Sequence, residues 1–178
     1  KNFKMFSTEL RIPKERIAVL IGKNGETKRK VEKKADIKLR ISKEGEVNIS
    51  SEDNVAIFIS TNVIRAIGRG CNPDIALQLI DEKNALELIN IQDFTGKSID
   101  KMNRLRARLI GTEGKARKTI EKLTNTDIVI YGKTVAIIGE IIEVAFAKNA
   151  IEKLLGGSPH GNVYKYIVSQ KRRESQNL

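Results

Sequence analysis

Two short segments bracketed by glycine are the residues of this sequence best suited to bind a ligand. They read Gly22-Lys23-Asn24-Gly25 and Gly111-Thr112-Glu113-Gly114, and each follows a Leu-Ile pair. One such segment is weak evidence, because glycine pairs end helices in many proteins. Two copies whose glycines lie 89 residues apart, each opening a Lys/Arg-rich run, indicate a duplicated module. A glycine turn before a helix leaves backbone N–H groups uncovered, so the predicted chemistry is the binding of a sugar-phosphate chain.

The basic side chains after each segment would supply positive potential for phosphate groups. The predicted binding residues are Gly22, Lys23, Asn24, Gly25, Lys28, Arg29, Gly111, Thr112, Glu113, Gly114, Lys115, Arg117 and Lys118. Glu113 places a negative charge where a phosphate would pass. We expect Lys115 and Arg117 to outweigh it; the alternative is that the second segment binds less tightly than the first.

The charge balance favours a polyanionic ligand. The chain has 178 residues, and its 33 Lys and Arg against 22 Asp and Glu give a net charge of +11. Nucleic acid is a better candidate than a membrane surface, because no basic segment has the large apolar face that would insert. Many individual charges have a simpler interpretation as the ion-paired surface of a heat-adapted protein. With five Phe, three Tyr and no Trp, several aromatic stacking platforms are not expected.

Residue types argue against catalysis. His160 and Cys71 are the only histidine and cysteine, so a Cys/His metal cluster is excluded, and no local Ser-His-Asp motif is present. Asp36 and Asp127 are interpreted as equivalent positions before a strand, where a role in a turn is simplest. We predict no catalytic residue, metal or cofactor, and we expect His160 to be a mobile surface residue. The single cysteine fits a reducing cytoplasm.

Hydrophobic periodicity predicts the same order of elements in both halves, β-α-α-β-β-α, and hence an α+β fold. In the first half the predicted elements are a strand over 6–12, helices over 16–21 and 26–35, strands at 37–41 and from 47, and a helix over 53–67. In the second half they are a strand within 86–94, a helix from an Asp100 N-cap to Ile110, a helix over 115–123, a hairpin of 127–131 and 134–138, and a helix over 140–155.

Each predicted half is followed by a further segment. Asn72-Pro73-Asp74 is typical of the cap and first turn of a short linker helix that reaches Leu79, and we expect the two halves to pack together through it. After Ser158 the chain is polar and basic, and we expect it to be disordered or docked only through Val163, Tyr164, Tyr166 and Ile167. The predicted organisation is a first domain over 1–71, a linker helix over 72–84, a second domain over 85–157 and a basic tail over 158–178.

A glycine-bracketed loop between two helices in this element order resembles the type I KH domain. The resemblance implies that each loop approaches the backbone of about four single-stranded nucleotides, whose bases lie in a narrow apolar groove. By this resemblance Ile17, Ile21 and Val31 would lie near the first groove, and Leu109, Ile110 and Ile120 near the second. KH sequences usually carry an apolar residue three places after the second glycine. The basic Lys28 and Arg117 at that position indicate a particular subfamily.

The segment after the first half narrows the resemblance. Ile67-Gly68-Arg69-Gly70-Cys71-Asn72-Pro73 and the tail His160-Gly161-Asn162-Val163-Tyr164 resemble ribosome-assembly proteins of the Dim-two, or partner-of-Nob-one, Krr-like family. Both loops retain their glycines, which favours an archaeal member. The family implies binding of the 3′ end of 16S rRNA during maturation of the small subunit. It also implies three protein partners: the rRNA 3′-end endonuclease, the rRNA dimethylase and a translation initiation factor subunit.

Two other functions stay open at the level of the sequence. The first is a KH adaptor of RNA turnover, of the exosome-cap type, although the short segment before the first predicted strand leaves no space for the β-barrel such proteins usually add. The second is a protein-interaction scaffold in which only one KH domain binds RNA. The acidic Glu113 and the apolar residues of the tail are compatible with this function. RNA binding by one loop or by both would discriminate these alternatives.

Overall fold

The computed structural model of the protein describes residues 3–178 and contains two compact units. The first unit ends at Asn84 and the second begins at Ala85. Each unit contains one three-stranded sheet, with the strand orders β1-β3-β2 and β4-β6-β5. The α+β fold in two units of the same element order, which the repeated pattern predicts, is confirmed.

In the first unit, alternating apolar residues form a sheet that is covered by helices on one face. The strands are β1 (Phe6–Arg11), β2 (Lys38–Ile41) and β3 (Glu46–Ser51). The helices are α1 (Lys14–Ile21), α2 (Glu26–Ala35) and α3 (Asn54–Gly68). Both outer strands run antiparallel to β3, with Phe6 and Lys38 opposite Ser51 and Ser50, respectively. Val47 and Ile49 of the central strand are fully buried, which places the core between the sheet and the helices.

A short helical segment continues the first unit beyond α3. It consists of α4 (Pro73–Ala76) and a 3-10 turn over Leu77–Ile80. The Asn72 side chain accepts a hydrogen bond from the Asp74 N–H at 2.9 Å, which caps α4 as the sequence predicts. Arg16 of α1 donates to the carbonyls of Ile67 and Cys71 at 2.8 and 3.0 Å, so the end of α3 is tied back to α1.

The second unit repeats the arrangement with an additional helical turn after its first strand. Its strands are β4 (Asn84–Asn90), β5 (Asp127–Tyr131) and β6 (Thr134–Glu140). Its helices are α5 (Gln92–Thr95), α6 (Ile99–Ile110), α7 (Lys115–Thr124) and α8 (Ile141–Leu155). The hairpin turn at Gly132-Lys133 is confirmed, because Tyr131 pairs with Thr134. The predicted N-cap of α6 was wrong: Ser98 accepts from the Lys101 N–H at 3.2 Å, and Asp100 lies inside the first turn.

The residues that end the second helix of each unit differ from the predicted equivalence. Asp36 and Asn125 follow α2 and α7 in the left-handed conformation, with φ of 56° and 49°. The counterpart of Asp36 is therefore Asn125, whereas Asp127 begins β5. Both residues are helix C-caps, a position where Asn and Asp tolerate positive φ.

The basic tail is helical, which selects the docked alternative over disorder. Helix α9 (His160–Gln176) buries Val163 and Ile167, and Tyr164 and Tyr166 pack half-buried on the same core. His160 is not a mobile surface residue as expected, because its Nε2 lies 2.9 Å from the carbonyl oxygen of Arg108. The amphipathic spacing of Val163 and Ile167 places both on one helix face and explains the docking.

Candidate nucleic-acid interface

The two glycine segments form the same turn between two helices. Gly22 follows α1 with φ 73° and ψ 175°, and Gly111 follows α6 with φ 74° and ψ 171°. The next three residues of each segment form a single 3-10 turn, over Lys23–Gly25 and Thr112–Gly114. Each turn is closed by a backbone bond from its second glycine to its first, at 3.2 and 3.1 Å.

The first position of both turns requires glycine, because a side chain there would collide with the following helix. A Cβ atom on Gly22 would lie 2.2 Å from Oγ1 of Thr27, and one on Gly111 would lie 2.7 Å from Cβ of Ala116. The backbone there also adopts a positive φ with ψ near 180°, a region that only glycine occupies readily. The middle residues Asn24 and Glu113 have φ of 54° and 55°, so only their side chains distinguish the two turns.

Each turn presents the start of a basic helix without a side-chain cap. Gly25 and Gly114 are the N-cap residues of α2 and α7, and the N–H groups at neither helix start donate a hydrogen bond to a capping side chain. The first N–H groups of a helix have no partner within the helix, and together with the helix dipole they attract anions. The geometry at both turns is therefore suited to a phosphate of an extended chain.

Two of the predicted binding cations donate hydrogen bonds to the backbone of the turns. Nη1 of Arg29 donates to the Asn24 carbonyl at 2.8 Å, and Nζ of Lys118 donates to the Glu113 carbonyl at 3.4 Å. Both side chains remain exposed, so they still add positive potential at the loop. Both side chains fix the carbonyl of the middle residue with positive φ. The hydrogen bond is shorter in the first unit than in the second.

Arg117 forms an ion pair within the second unit. Its Nη1 forms an ion pair with Oε1 of Glu121, whose other oxygen accepts from the Ile128 N–H at 3.0 Å. This arrangement joins α7 to β5, and Glu32 makes the same link to the Leu39 N–H in the first unit at 3.0 Å. Arg117 therefore contributes less free charge against Glu113 than the sequence suggested. Lys23, Lys115 and the two uncharged middle residues Asn24 and Thr112 are exposed at the turns, and Lys28 is half-buried.

Some of the predicted groove residues line a cleft beside the first turn, and others are buried in the hydrophobic cores of the units. An open cleft of about 510 Å³ beside the first turn is lined by Lys14, Ile17, Ala18, Ile21, Gly22 and Lys43. The predictions for Ile17 and Ile21 agree with this cleft. Val31, Leu109 and Ile120 are instead buried in the cores, with at most 3% of their surface exposed.

Arg106 is a candidate binding residue that the sequence reasoning missed. It lies 89 residues after Ile17, so it occupies the groove position of the second unit. Its Nε is buried and has no hydrogen-bond partner among the described residues. A buried donor without a partner is costly unless a ligand supplies an acceptor. Aligning the two halves by their glycines would have identified the exchange of Ile17 for an arginine.

Neither a metal centre nor a membrane-spanning helix is found among the described residues 3–178. Within residues 3–178 there is no group of three or more His, Cys, Asp or Glu side chains that could hold a metal ion. The described helices include none that is long and apolar enough to cross a membrane. Cys71, which follows α3, is fully buried and is not part of a disulfide.

Comparisons with known proteins identify both units. Residues 85–172 match the model of the second PNO1 KH domain, described as a eukaryotic type KH-domain (KH-domain type I). Residues 7–70 match the general KH-domain model. The KH domain-containing protein MJ0443 of Methanocaldococcus jannaschii is 43% identical over 92% of this chain and 74% of its own length.

Two further relatives carry more informative names. The pre-rRNA-processing protein PNO1 of Yarrowia lipolytica is 30% identical over 68% of this chain. This chain spans about half of that protein, 48% of its length. A chain in the crystal structure of an a/eIF2alpha-aDim2p-rRNA complex from Pyrococcus horikoshii OT3 superimposes with a TM-score of 0.88 and 44% identity, covering 97% of both chains.

Proposed function

Because this chain belongs to the KH-domain family that includes MJ0443 and the PNO1 pre-rRNA-processing proteins, we propose that it is a non-catalytic, single-stranded RNA-binding factor for small-subunit assembly. Its proposed ligand is the 3′ end of 16S rRNA. The binding residues are those of the two glycine turns, Gly22–Gly25 and Gly111–Gly114, with the basic residues around them.

The observation that carries this proposal is the duplication of the turn itself. Two turns with the same backbone angles each place uncapped helical N–H groups beside exposed side chains. Glycine allows the phosphate backbone to approach, and the cleft lined by Ile17 and Ile21 offers an apolar surface to bases. Phosphate contacts should dominate the affinity, so binding should weaken steeply as the salt concentration rises.

The specific ligand and partners are inferred from the relatives. The Pyrococcus structure is named as a complex with rRNA and with a/eIF2alpha, and the Yarrowia protein is named for pre-rRNA processing. These names support an rRNA ligand and a translation initiation factor subunit as a partner of this chain. We extend the proposal to the rRNA 3′-end endonuclease and the rRNA dimethylase, which act on the same end, and to the cytoplasm as the compartment.

The test is fluorescence anisotropy with a labelled oligonucleotide that matches the 3′ end of small-subunit rRNA. A scrambled strand and a duplex serve as competing ligands. Wild type is compared with Lys23→Asp/Asn24→Asp in the first turn and Thr112→Asp/Lys115→Asp in the second. We expect strong preference for the rRNA end, and a loss of about ten-fold or more in affinity for the variant of the dominant turn.

Lys148→Asp/Asn149→Asp is the matched control, because it changes the same residue types on α8, outside both turns. Its affinity should stay near that of the wild type. If only the first-turn variant loses affinity, the scaffold function is favoured, since Glu113 and the Arg117–Glu121 pair already reduce the free positive charge at the second turn. Equal binding of every RNA, unchanged by either variant, would overturn the proposal.

A further inference from the structure

The second unit contains an open cleft beside its glycine turn, lined by residues of α6, α7 and α9. Its volume is about 520 Å³, within the range of small-ligand sites. The floor is formed by small residues, Ala107, Gly111 and Ala116, and one wall by His160 and Tyr164 of α9. Ala107 and Gly111 correspond to Ala18 and Gly22, which line the groove of the first unit, whereas Arg106 and Ile110, which correspond to Ile17 and Ile21, do not line the cleft. The cleft therefore shares one edge with the groove position and extends from that edge to α9.

The charges around this cleft differ from those at the equivalent surface of the first unit. Arg104 and Lys115 line the cleft, whereas the residues 89 positions earlier are Glu15 and Glu26. Two acidic positions of the first unit are thus basic in the second. The second turn carries the acidic Glu113 in place of Asn24. The cleft beside the second turn therefore carries two cations where the first unit has two carboxylates, which makes it complementary to an anion.

Internal hydrogen bonds hold the wall of the cleft in place. Arg108 donates to the carbonyls of Leu154 and Ser158 at 2.8 and 2.7 Å, which fixes the connection between α8 and α9. The His160 ring bonds to the Arg108 carbonyl, and its centroid lies 6.3 Å from that of Tyr164. Two neighbouring aromatic rings are thus anchored before any ligand arrives, so little ordering is needed on binding.

We propose that this cleft binds one further nucleotide of the RNA strand that passes the second turn. Its base stacks on Tyr164 and His160, and its phosphate contacts Arg104 and Lys115. The proposal rests on the proposed function, because the nucleotide must flank those held at the second turn. It adds a base-stacking site on α9 to a chain that has few aromatic residues overall. Stacking on one aromatic ring strengthens the binding of any base.

The experiment measures affinity as the RNA is lengthened one nucleotide at a time from a four-nucleotide core, in both directions. The first turn carries Lys23→Asp/Asn24→Asp, so that the measured affinity reports RNA binding by the second unit. In this background, extension at one end should strengthen binding about ten-fold. Tyr164→Leu and Arg104→Glu should each abolish that gain, and Arg104→Glu restores the residue type of the first unit.

Three controls separate this proposal from a loss of structure or of general charge. Tyr164→Phe retains the stacking ring and should keep the gain. Lys97→Glu makes the same charge change at an exposed residue before α6 that does not line the cleft, and should also keep it. A photo-crosslink from 4-thiouridine at the added position should map to α9.

Other outcomes are equally decisive. Core binding with no gain on extension, or a gain that survives Tyr164→Leu and Arg104→Glu, overturns the nucleotide site and leaves the proposed function intact. Failure of the wild-type chain to bind any single-stranded RNA overturns both. A crosslink that maps only to the groove residues would show that the added nucleotide takes another path.

Discussion

The two glycine turns have nearly identical backbones and opposite charge. Gly22 and Gly111 differ by 1° in φ, as do Asn24 and Glu113, which have φ of 54° and 55°. The side chains exposed on these turns are Lys23 and Asn24 in the first unit and Thr112 and Glu113 in the second. The glycines and the helices that flank them therefore set the shape of the turn, and the two middle residues are free to set its charge.

This comparison extends to the groove and the neighbouring helices. The groove position held by the apolar Ile17 in the first unit is held by Arg106 in the second. The first turn carries Lys23 at its tip, whereas Arg104 and Lys115 of the second unit line the cleft beside α9. The two copies thus share the backbone of the turn while the surrounding side chains differ.

The largest expected effect comes from adding a methyl group at the first glycine of either turn. Gly22→Ala and Gly111→Ala should each lower the free energy of unfolding of their unit by about 2–4 kcal/mol, because Cβ would overlap Thr27 or Ala116 and the backbone angles favour glycine. Urea denaturation measures the loss, and hydrogen exchange assigns it to one unit.

Alanine at the second glycine is the matched control for this prediction. Gly25 and Gly114 have φ of 74° in the ordinary left-handed region, where alanine costs about 1–2 kcal/mol. A Cβ on Gly25 would meet only the flexible end of Arg29, at 3.0 Å. Equal losses at the first and second glycines would show that steric overlap does not maintain the turn. Unequal losses in the two units would contradict their structural equivalence.

Exchanging the groove residues should exchange base preference. The Arg106 guanidinium has only donors, so it favours a base edge with two adjacent acceptors, such as O6 and N7 of guanine. Arg106→Ile should remove a preference of about ten-fold at one RNA position, and Ile17→Arg should introduce one in the first unit. The measurement is anisotropy with RNAs varied at single positions, in a background where the other turn carries its aspartate variant.

Arg106→Lys distinguishes base reading from simple charge. Lysine keeps the positive charge and loses the planar fork, so overall affinity should persist while the preference declines. An equal loss of affinity for all sequences in Arg106→Ile would instead place the guanidinium on a phosphate. Because its buried Nε is unpaired, Arg106→Ile should not destabilise the free protein.

Local sequence patterns were sufficient to predict the glycine turns and most helices and strands. They were not sufficient to predict which groups the long side chains contact. Glycine conformation and residue periodicity are local, so both turns and the order of strands and helices could be predicted. The pairing of Arg117 with Glu121 could not be read from the sequence, because Glu121 is also held by the Ile128 N–H of a strand, which is a tertiary contact. The α6 cap was misplaced because Ser98 and Asp100 are both good capping residues only two positions apart.

The acidic residue of the second turn provides the third test. Glu113→Asn should raise RNA affinity of the second unit several-fold at low salt, and Asn24→Glu should lower that of the first, with both effects shrinking as salt rises. Glu113→Asn should also stabilise the unit by about 0.5–1 kcal/mol, because Asn tolerates positive φ better than Glu.

Glu113→Gln separates the two contributions. It removes the charge and keeps a side chain unsuited to positive φ, so it should raise affinity without the gain in stability. RNA titrations at several salt concentrations and urea denaturation give the two readouts. An affinity unchanged by either substitution would place the phosphate chain away from Glu113.

The last helices of the two units differ in one exposed contact, and this gives the smallest expected effect. Helix α9 is held by buried Val163 and Ile167, and α4 by buried Ala76. In addition, α4 is joined to α2 by an exposed ion pair between Lys30 and Asp74, with Nζ and Oδ1 2.6 Å apart. The hydrogen bond and charge of Lys30 lower the pKa of Asp74 below its ordinary value of 3.8. Exposed pairs contribute little, because water and ions screen them.

A carboxylate with a lowered pKa stabilises the fold at pH values above its unfolded pKa, and that contribution is lost as pH falls through the folded value. Wild type should therefore unfold at a slightly higher urea concentration than Asp74→Asn at neutral pH, and the two midpoints should converge as the medium is acidified below pH 3.8. In a Lys30→Gln background, Asp74→Asn should have no further effect at any pH. A difference that persists in that background would mean that Asp74 acts through the start of α4 and not through Lys30. A difference that grows on acidification would contradict a stabilising role of the Asp74 carboxylate.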